Sequence, residues 1–298
     1  MQPVSRGKKV PAAVCTRCKL PIFWKQRLYW YDGWVWIGGR RCIFVPQRLI
    51  SRILEFNPPF NAKDRKKDTT YLLFRALFPG KEGVVAPNLH GAEQLCIALS
   101  SFGYGGFAPY RETKKDLQII GSDVYHIDLI HGDITGGAEY FFGKKVYLTP
   151  ISLDGRTVYH LQPIHFIFGD EAAQKDFTEP KINTYSPQFP TCRCGAPAPL
   201  RGVLSFDNKT GTLTHTRTGE RMVLLPLRFF AGLLYWLRAV TADQKHPVMG
   251  VWWDRWNPSP NEVALLGWGN LAEAWGLPRV GFSLEETKTD RGHDKQKR

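Results

Sequence analysis

The sequence predicts an α+β fold with antiparallel sheets, a few helices and a zinc knuckle. Runs of β-branched and aromatic residues, separated by short stretches containing Gly and Asp, predict antiparallel strands. Segments with an apolar face at helical spacing predict the helices, and two closely spaced cysteine pairs are suited to metal ligation. With 298 residues, 43% of them hydrophobic, the chain is long enough to bury a core in two ordinary domains or one elaborated domain.

The N-terminal region predicts a hairpin followed by a helix. Residues 25–37 alternate around Asp32-Gly33, a dipeptide that favours a two-residue turn between strands. Residues 47–56 place four apolar side chains on one helical face and basic side chains on the other. Residues 57–67 contain two adjacent prolines and a charged run, so we expect a loop that ends an N-terminal module.

Further along the chain, residues 69–78 and 91–101 predict two short helices. The β-branched and aromatic stretches between residues 117 and 168, among them VYHIDLI and AEYFF, predict strands of an antiparallel sheet. Residues 203–216 predict another hairpin, with Gly211 in its turn. Residues 222–241 predict the longest helix, with Pro226 in its first turn, and the stretches VMGVWWDRW and EVALLGW predict buried strands.

These patterns divide the chain into four predicted regions. Residues 1–67 form a basic, aromatic module with a cysteine knuckle, and residues 68–190 form a mixed region with an antiparallel sheet. Residues 191–284 contain the second cysteine pair, a long helix and C-terminal strands. Residues 285–298 are expected to be a disordered tail.

The metal prediction depends on four of the six cysteines. Cys15 and Cys18 in C-x-x-C spacing, and Cys192 and Cys194 in C-x-C spacing, can each supply two ligands of a tetrahedral Zn²⁺ centre. A variant of this prediction uses Cys42 with the first pair. Free thiols in a reducing compartment are the alternative, while a disulfide framework fits this spacing less well.

Positive charge is concentrated near the N-terminus. Residues 1–67 contain 15 Lys and Arg against three acidic residues, whereas residues 68–200 contain 11 basic and 14 acidic residues. A localised basic field with interleaved Trp is typical of a surface that neutralises phosphates and stacks on bases. The residues assigned to this basic patch are Arg17, Lys19, Lys25, Arg27, Trp30, Trp34, Arg40, Arg41, Arg48 and Arg52. The alternative is a solvated face whose aromatics belong to the core.

The sequence contains no complete catalytic signature, so we expect a binding protein rather than an enzyme. His160 and His165, in a predicted strand, are the candidates for proton transfer, for example at a ribose 2′-hydroxyl. Histidines that only pack within a sheet are the alternative.

Two stretches resemble proteins of CRISPR systems. LLGWGNLAEAWGLPRVGF, which contains Gly267, Gly269 and Gly276, resembles the glycine-rich loop of the RAMP superfamily. It departs from that pattern because no Lys or Arg lies between Gly269 and Gly276 and Pro278 stands where another glycine is usual. The cysteine knuckle, residues 57–60 and the stretch TPISL at 149–153 resemble the zinc-bearing, large-subunit-like component of type IV effector complexes. The resemblance implies a ferredoxin-like C-terminal part, and RNA and other protein subunits as partners.

The sequence therefore predicts a zinc-stabilised nucleic-acid-binding protein, a non-catalytic subunit of a ribonucleoprotein such as an RNA-guided CRISPR effector complex. Both RNA and DNA fit the basic patch as ligands. The first alternative is a metal-independent CRISPR-RNA-processing endoribonuclease, and the second is a ligand-sensing α+β domain with a basic arm. No apolar stretch approaches the length of a membrane span, so we expect a cytoplasmic protein without membrane contact.

Overall fold

The computed structural model describes residues 12–25, 27–31, 34–37, 39–56, 61–81, 83, 89–112, 117–153, 156–164, 189–240 and 256–268. These residues contain both helices and antiparallel sheets, which confirms the predicted α+β class.

The described part of the chain contains strands, α-helices and short 3₁₀ helices, each numbered in chain order. The strands are β1 (Leu28–Tyr31), β2 (Trp34–Ile37), β3 (Arg40–Pro46), β4 (Gly106–Glu112), β5 (Leu117–Ser122), β6 (Val146–Leu153), β7 (Arg156–Pro163), β8 (Leu204–Asp207), β9 (Thr212–His215) and β10 (Arg221–Pro226). The helices are α1 (Gln47–Phe56), α2 (Ala62–Leu77), α3 (Leu89–Ser101), α4 (Ile127–Phe142), α5 (Leu227–Val240) and α6 (Pro260–Leu266). Two short 3₁₀ helices, η1 (Ile22–Trp24) and η2 (Ala198–Gly202), precede β1 and β8.

Six strands form the first sheet, in the order β1-β2-β3-β10-β9-β8, and every neighbouring pair is antiparallel. The central pair is β3 and β10, whose middle residues are almost fully shielded from solvent on both faces. Strands with apolar residues on both faces occupy the centre of a covered sheet, because each face loses water there. Strands from the predicted regions 1–67 and 191–284 thus share one sheet.

The same series of elements occurs twice in the first sheet. Each series begins with a cysteine pair and a 3₁₀ helix, continues with three strands and ends with a helix that directly follows a proline, Pro46 or Pro226. The β3–β10 register is symmetric about Phe44 and Leu224, since Pro46 lies opposite Met222 and Cys42 lies opposite Pro226. The two series, which we call the first repeat and the second repeat, are therefore related by an approximate two-fold axis through the sheet.

The second sheet has four antiparallel strands in the order β4-β5-β7-β6. Helix α4 enters the core beside it, with every residue from Gly132 to Phe142 buried. Two glycines of α4 permit a close approach to α2, because a Cβ atom on Gly132 would lie only 2.5 Å from the carbonyl oxygen of Lys63. Helix α3 connects this part of the molecule to the first repeat, where the Trp24 indole donates a 3.0 Å hydrogen bond to the Ser101 carbonyl.

A buried polar network connects α2 and α4 to the first sheet. The Lys66 ammonium lies 2.7 Å from Asp133 and donates to the Tyr104 hydroxyl at 3.2 Å. Tyr104 in turn donates to the Leu224 carbonyl, and Tyr125 donates to Asp133, each at 2.8 Å. Burial lowers the pKa of Lys66 and raises the pKa of Asp133, while the attraction between the two charges opposes both shifts. The network keeps both members of a buried ion pair hydrogen-bonded.

Several predicted elements are confirmed. Helix α1 has the predicted bounds, and the four residues of its predicted apolar face, Leu49, Ile50, Ile53 and Leu54, are all buried. Tyr31 pairs with Trp34, so β1 and β2 are joined by a connection of two residues, as expected for the first hairpin. The β8–β9 hairpin and helix α3 are also present, and Gly211 has a φ of +63°.

Other predicted elements are wrong. The stretches VYHIDLI and AEYFF lie largely in helix α4 rather than in strands. The charged run 62–67, predicted as a loop, is the first part of α2. Residues 222–226, predicted as helix, belong to strand β10, and α5 begins only after Pro226.

The C-terminal part also differs from its prediction. EVALLGW contains most of helix α6 instead of a strand, and most of VMGVWWDRW lies outside the described residues. The described elements from β8 to α6 run β-β-β-α-α, which is not the β-α-β-β-α-β order of a ferredoxin-like domain. Within the described ranges, no helix has the length and apolar character needed to cross a membrane.

Candidate metal centre and basic surface

The first cysteine pair lies in a tight knuckle. The Cys15 amide donates to the Leu20 carbonyl, and the Lys19 amide donates back to the Cys15 carbonyl, both at 2.9 Å. Lys19 closes the turn in the left-handed region with a φ of +61°. Val14 and Pro21 then form an isolated β-bridge. This folding directs the Cys15 and Cys18 side chains toward the same point.

The second pair lies in a matching knuckle. The Cys192 amide donates to the Ala196 carbonyl at 2.7 Å, and the Gly195 amide donates to the Cys192 carbonyl at 2.8 Å. Gly195 has a φ of +85°, a backbone conformation that glycine adopts without steric cost. Thr191 and Pro197 form the closing bridge. The two knuckles therefore occupy equivalent positions in the two repeats.

The four sulfur atoms form one cluster. The Sγ atoms of Cys15 and Cys192 are 3.8 Å apart, those of Cys18 and Cys194 are 3.4 Å apart, and all four lie within 4.8 Å of one another. Tetrahedral zinc with Zn–S bonds of about 2.3 Å would place the sulfur atoms about 3.8 Å apart. Each of the four residues is buried. The cluster can therefore hold a metal ion.

Backbone hydrogen bonds and burial shift the pKa values of these thiols in opposite directions. Hydrogen bonds from the backbone of Cys18 and Arg17 to the Cys15 sulfur lower the pKa of Cys15 to about 6. Burial instead raises the pKa of Cys18 and of Cys194. Thiolates buried in this way require a nearby positive charge, and a bound cation supplies one. A bound cation would therefore favour the thiolate forms of these cysteines.

The remaining cysteines do not join the cluster. Cys42 is fully buried in β3, its Sγ contacts the Arg40 carbonyl at 3.8 Å, and burial raises its pKa to about 12. The variant prediction that used Cys42 as a ligand is therefore wrong. Cys96 is buried in α3.

Most cations of the predicted basic patch lie at the surface. The exposed members are Arg17, Lys19, Lys25, Arg41, Arg48 and Arg52. Arg17 and Lys19 belong to the first knuckle, whereas Arg48 and Arg52 lie on α1. Arg52 lies 3.5 Å from Glu55, an exposed pair that contributes little to stability.

Three members of the patch are buried or partly buried. Trp30 is only 2% exposed and donates a 2.9 Å hydrogen bond to the Leu265 carbonyl, so it is not available to stack on a base. The Arg27 guanidinium lies 4.6 Å from the centre of the Phe23 ring, and burial lowers its pKa. Arg40 is half-buried. The side chain of Trp34 lies outside the described part of the protein.

A cavity lies beside the exposed face of α1. It has a volume of about 300 Å³ and is lined by Gln47, Arg48, Ser51, Glu220 and Arg221. Burial lowers the pKa of Arg221 to about 10, and its guanidinium donates to the Gly103 and Asp123 carbonyls. Arg48 of the first repeat and Arg221 of the second repeat thus line the same cavity.

The other predicted site residues have mixed outcomes. His160 lies in β7, between Gln118 of β5 and Thr149 of β6, and His165 is outside the described residues, so their role in proton transfer stays a prediction. Gly267, part of the stretch that resembles a glycine-rich loop, ends helix α6 with a φ of +76°. Gly269 and Gly276 lie beyond the described residues.

Two basic residues of the second repeat were not among the predicted site residues. Arg193 lies between the two cysteines of the second knuckle, and Arg201 lies in η2 directly after it; both are exposed. The sequence does contain a signal for Arg193: an arginine immediately precedes the second cysteine in both C-T-R-C and C-R-C. The regional charge count does not reveal this signal, because Arg193 lies in residues 68–200, where acidic residues outnumber basic ones.

No family model matches the chain, and neither the curated proteins nor the solved structures contain a match.

Proposed function

We propose that this protein binds nucleic acid through a basic surface stabilised by a structural zinc ion. Four buried thiols at tetrahedral spacing are the ligand set of structural zinc sites, in which every coordination position is occupied by protein. An ion bound there would link the two repeats, and its binding energy would be folding energy.

The exposure of the basic patch is the observation that carries the nucleic-acid proposal. Six of its eight Lys and Arg residues have exposed side chains, although the same stretch contributes many residues to the core. Cations held at the surface neutralise phosphates and release counterions, which supplies most of the sequence-independent affinity for nucleic acid. The exposed cations thus fit a phosphate-binding role, and base stacking by Trp30 is not part of the proposal.

The cellular setting belongs to the same proposal. Reduced thiols bind zinc in the cytoplasm, where disulfides are rare, so we place the protein there. The resemblance to CRISPR proteins makes a non-catalytic subunit of an RNA-guided complex the most concrete form of this function, with RNA and other subunits as partners.

The test is the binding of a fluorescein-labelled single-stranded RNA, and of DNA of the same sequence, followed by anisotropy over a series of salt concentrations. We expect affinity to fall steeply as salt rises. The double variant Arg48→Glu/Arg52→Glu should bind more weakly, with a log–log salt slope reduced by roughly 0.7 for each phosphate that is no longer neutralised. The variant should still fold, because an acidic residue at position 48 favours the first turn of α1.

The matched control is Arg156→Glu, an exposed charge reversal at the start of β7 on the second sheet. Arg156 pairs with Leu153 at one end of the β6–β7 ladder, whereas Pro163 pairs with Val146 at the other. Wild-type protein that binds neither probe, or a double variant that binds as tightly as the control, would overturn the proposed function.

A further inference from the structure

We propose that the nucleic acid crosses the metal centre and that the second knuckle supplies a phosphate contact, Arg193, equivalent to Arg17 of the first knuckle. This inference rests on the proposed function and names the part of the surface that the ligand occupies. The ligand chemistry is a phosphodiester backbone, which arginine recognises with two parallel hydrogen bonds.

The repeat architecture makes the two arginines equivalent. Arg17 immediately precedes Cys18, and Arg193 immediately precedes Cys194. Each cysteine is followed by a residue with positive φ, Lys19 or Gly195. The same backbone ladder surrounds both, because the Ile22 amide donates to the Ala13 carbonyl just as the Ala198 amide donates to the Pro190 carbonyl.

The cysteine cluster brings these two positions together although they are far apart in the chain. The Sγ atoms of Cys18 and Cys194 are 3.4 Å apart, and each arginine is one residue from its cysteine, about 3.8 Å along the backbone. Both arginine side chains are exposed while the cysteines beside them are buried. The two arginines therefore lie in adjoining knuckles next to the cysteine cluster, and both are exposed.

The two segments that contain the knuckles carry basic residues and no acidic residue. No Asp or Glu occurs in residues 1–31 or in residues 180–206, the two segments that contain the knuckles. Lys19 follows Cys18 in the first knuckle and Arg201 lies in η2 after the second knuckle, and both are exposed. Among the residues that the structure describes, neither Arg17 nor Arg193 has an ion pair with a carboxylate. Such a surface attracts a polyanion and leaves its arginines available to phosphates.

A structural role for these arginines is the competing explanation. The Arg17 backbone hydrogen-bonds to the Cys15 sulfur, but that contact uses the amide and does not require the guanidinium. Replacing the side chain therefore tests ligand binding while leaving the knuckle backbone in place.

The experiment measures anisotropy with the same single-stranded RNA and DNA for Arg17→Glu, Arg193→Glu, Arg193→Lys and the control Arg156→Glu, with metal content determined for each protein. We expect Arg17→Glu and Arg193→Glu each to weaken binding by roughly threefold to tenfold and to lower the salt slope by about 0.7 or more. Arg193→Lys keeps the charge but loses the two parallel hydrogen bonds, so it should bind more tightly than Arg193→Glu and less tightly than wild type, and all four variants should keep their metal.

The outcomes separate the two proposals. If Arg48→Glu/Arg52→Glu weakens binding while Arg193→Glu matches the Arg156→Glu control, the ligand does not cross the metal centre and only the further inference is overturned. If Arg193→Glu weakens binding only together with loss of metal, and Arg193→Lys loses metal as well, the role is structural and the inference also fails. If every variant binds the probes as tightly as wild type, both proposals are overturned.

Discussion

At the scale of single residues, Glu262 connects helix α6 to the second repeat. Its carboxylate accepts a 2.7 Å hydrogen bond from the Ser259 amide and a 3.1 Å hydrogen bond from Arg217, and it lies 2.9 Å from His215. The Glu262 amide donates to the Ser259 hydroxyl, which completes a capping box. Removing the charge therefore affects three partners at once.

The pH dependence of this contact follows from the pKa of Glu262. Burial raises that pKa, but the hydrogen bonds from Ser259 and Arg217 outweigh burial, so the pKa is lowered overall. A carboxyl with a lowered folded-state pKa adds stability above its unfolded pKa, and this stability is lost as the pH falls through the folded value.

We expect Glu262→Gln to lower the free energy of unfolding at neutral pH by about 2 kcal/mol, because hydrogen bonds to charged groups contribute roughly that much. The difference from wild type should shrink as the solution becomes acidic. Denaturant unfolding at several pH values measures it. The matched control Glu55→Gln, at an exposed pair, should change stability by less than about 0.5 kcal/mol. A difference for Glu262→Gln that is independent of pH would contradict this explanation.

Residue burial also limits what charge and composition predict about the surface. Lys66 is one of the basic residues counted in the N-terminal excess, yet it is 0% exposed and paired with Asp133. The basic neighbours of Trp30 predict base stacking, but its indole donates a hydrogen bond to Leu265 inside the molecule. Both outcomes depend on partners far away in the chain, which local sequence patterns do not contain.

At the scale of elements, the contact between α2 and α4 requires glycine. A Cβ atom on Gly136 would overlap with the Lys67 carbonyl oxygen and lie 3.0 Å from the Tyr71 amide nitrogen. Backbone atoms of a packed helix cannot move aside as a flexible side chain can, so the two helices would have to separate.

We therefore expect Gly136→Ala to destabilise the protein by about 1–3 kcal/mol, the usual cost of overpacking, even though alanine favours a helix. Thermal or denaturant unfolding gives the measurement. Gly202→Ala is the control, since a Cβ atom there meets nothing within 4 Å. Equal stability of the two variants would show that α2 and α4 do not pack at this distance.

The same glycines explain why the sequence predicts strands where the structure has α4. Gly132, Gly136 and Gly137 lower the helix propensity of the segment, and its β-branched and aromatic residues favour strands locally. Burial on nearly all sides also removes the amphipathic pattern that identifies α1. Helix α1 is predictable because one of its faces remains in water, whereas the identity of α4 is decided by its packing partners.

At the scale of the whole molecule, the four-cysteine cluster and the β3–β10 pair both join the first repeat to the second. Cys15 and Cys192 are 177 positions apart in the chain, so the sequence could indicate the four ligands by their spacing but not the two-fold arrangement of the repeats. That arrangement appears only when strand pairing is known, because β10 pairs with β3 through long-range contacts. The sequence contains only weak signals of the repeat. A proline precedes the helix that ends each repeat, and the second cysteine of each knuckle begins a C-x-x-P motif.

The central claim is that one zinc ion, bound by cysteines from both repeats, supports the basic surface. Zinc K-edge X-ray absorption of the purified protein, with metal analysis, tests it most directly. We expect about one zinc per chain with four sulfur ligands at about 2.3 Å, the loss of this site in Cys18→Ser, and its retention in Cys96→Ala, whose thiol lies in α3. Protein that carries no metal, that carries iron instead, or whose zinc has fewer than four sulfur ligands would contradict the account.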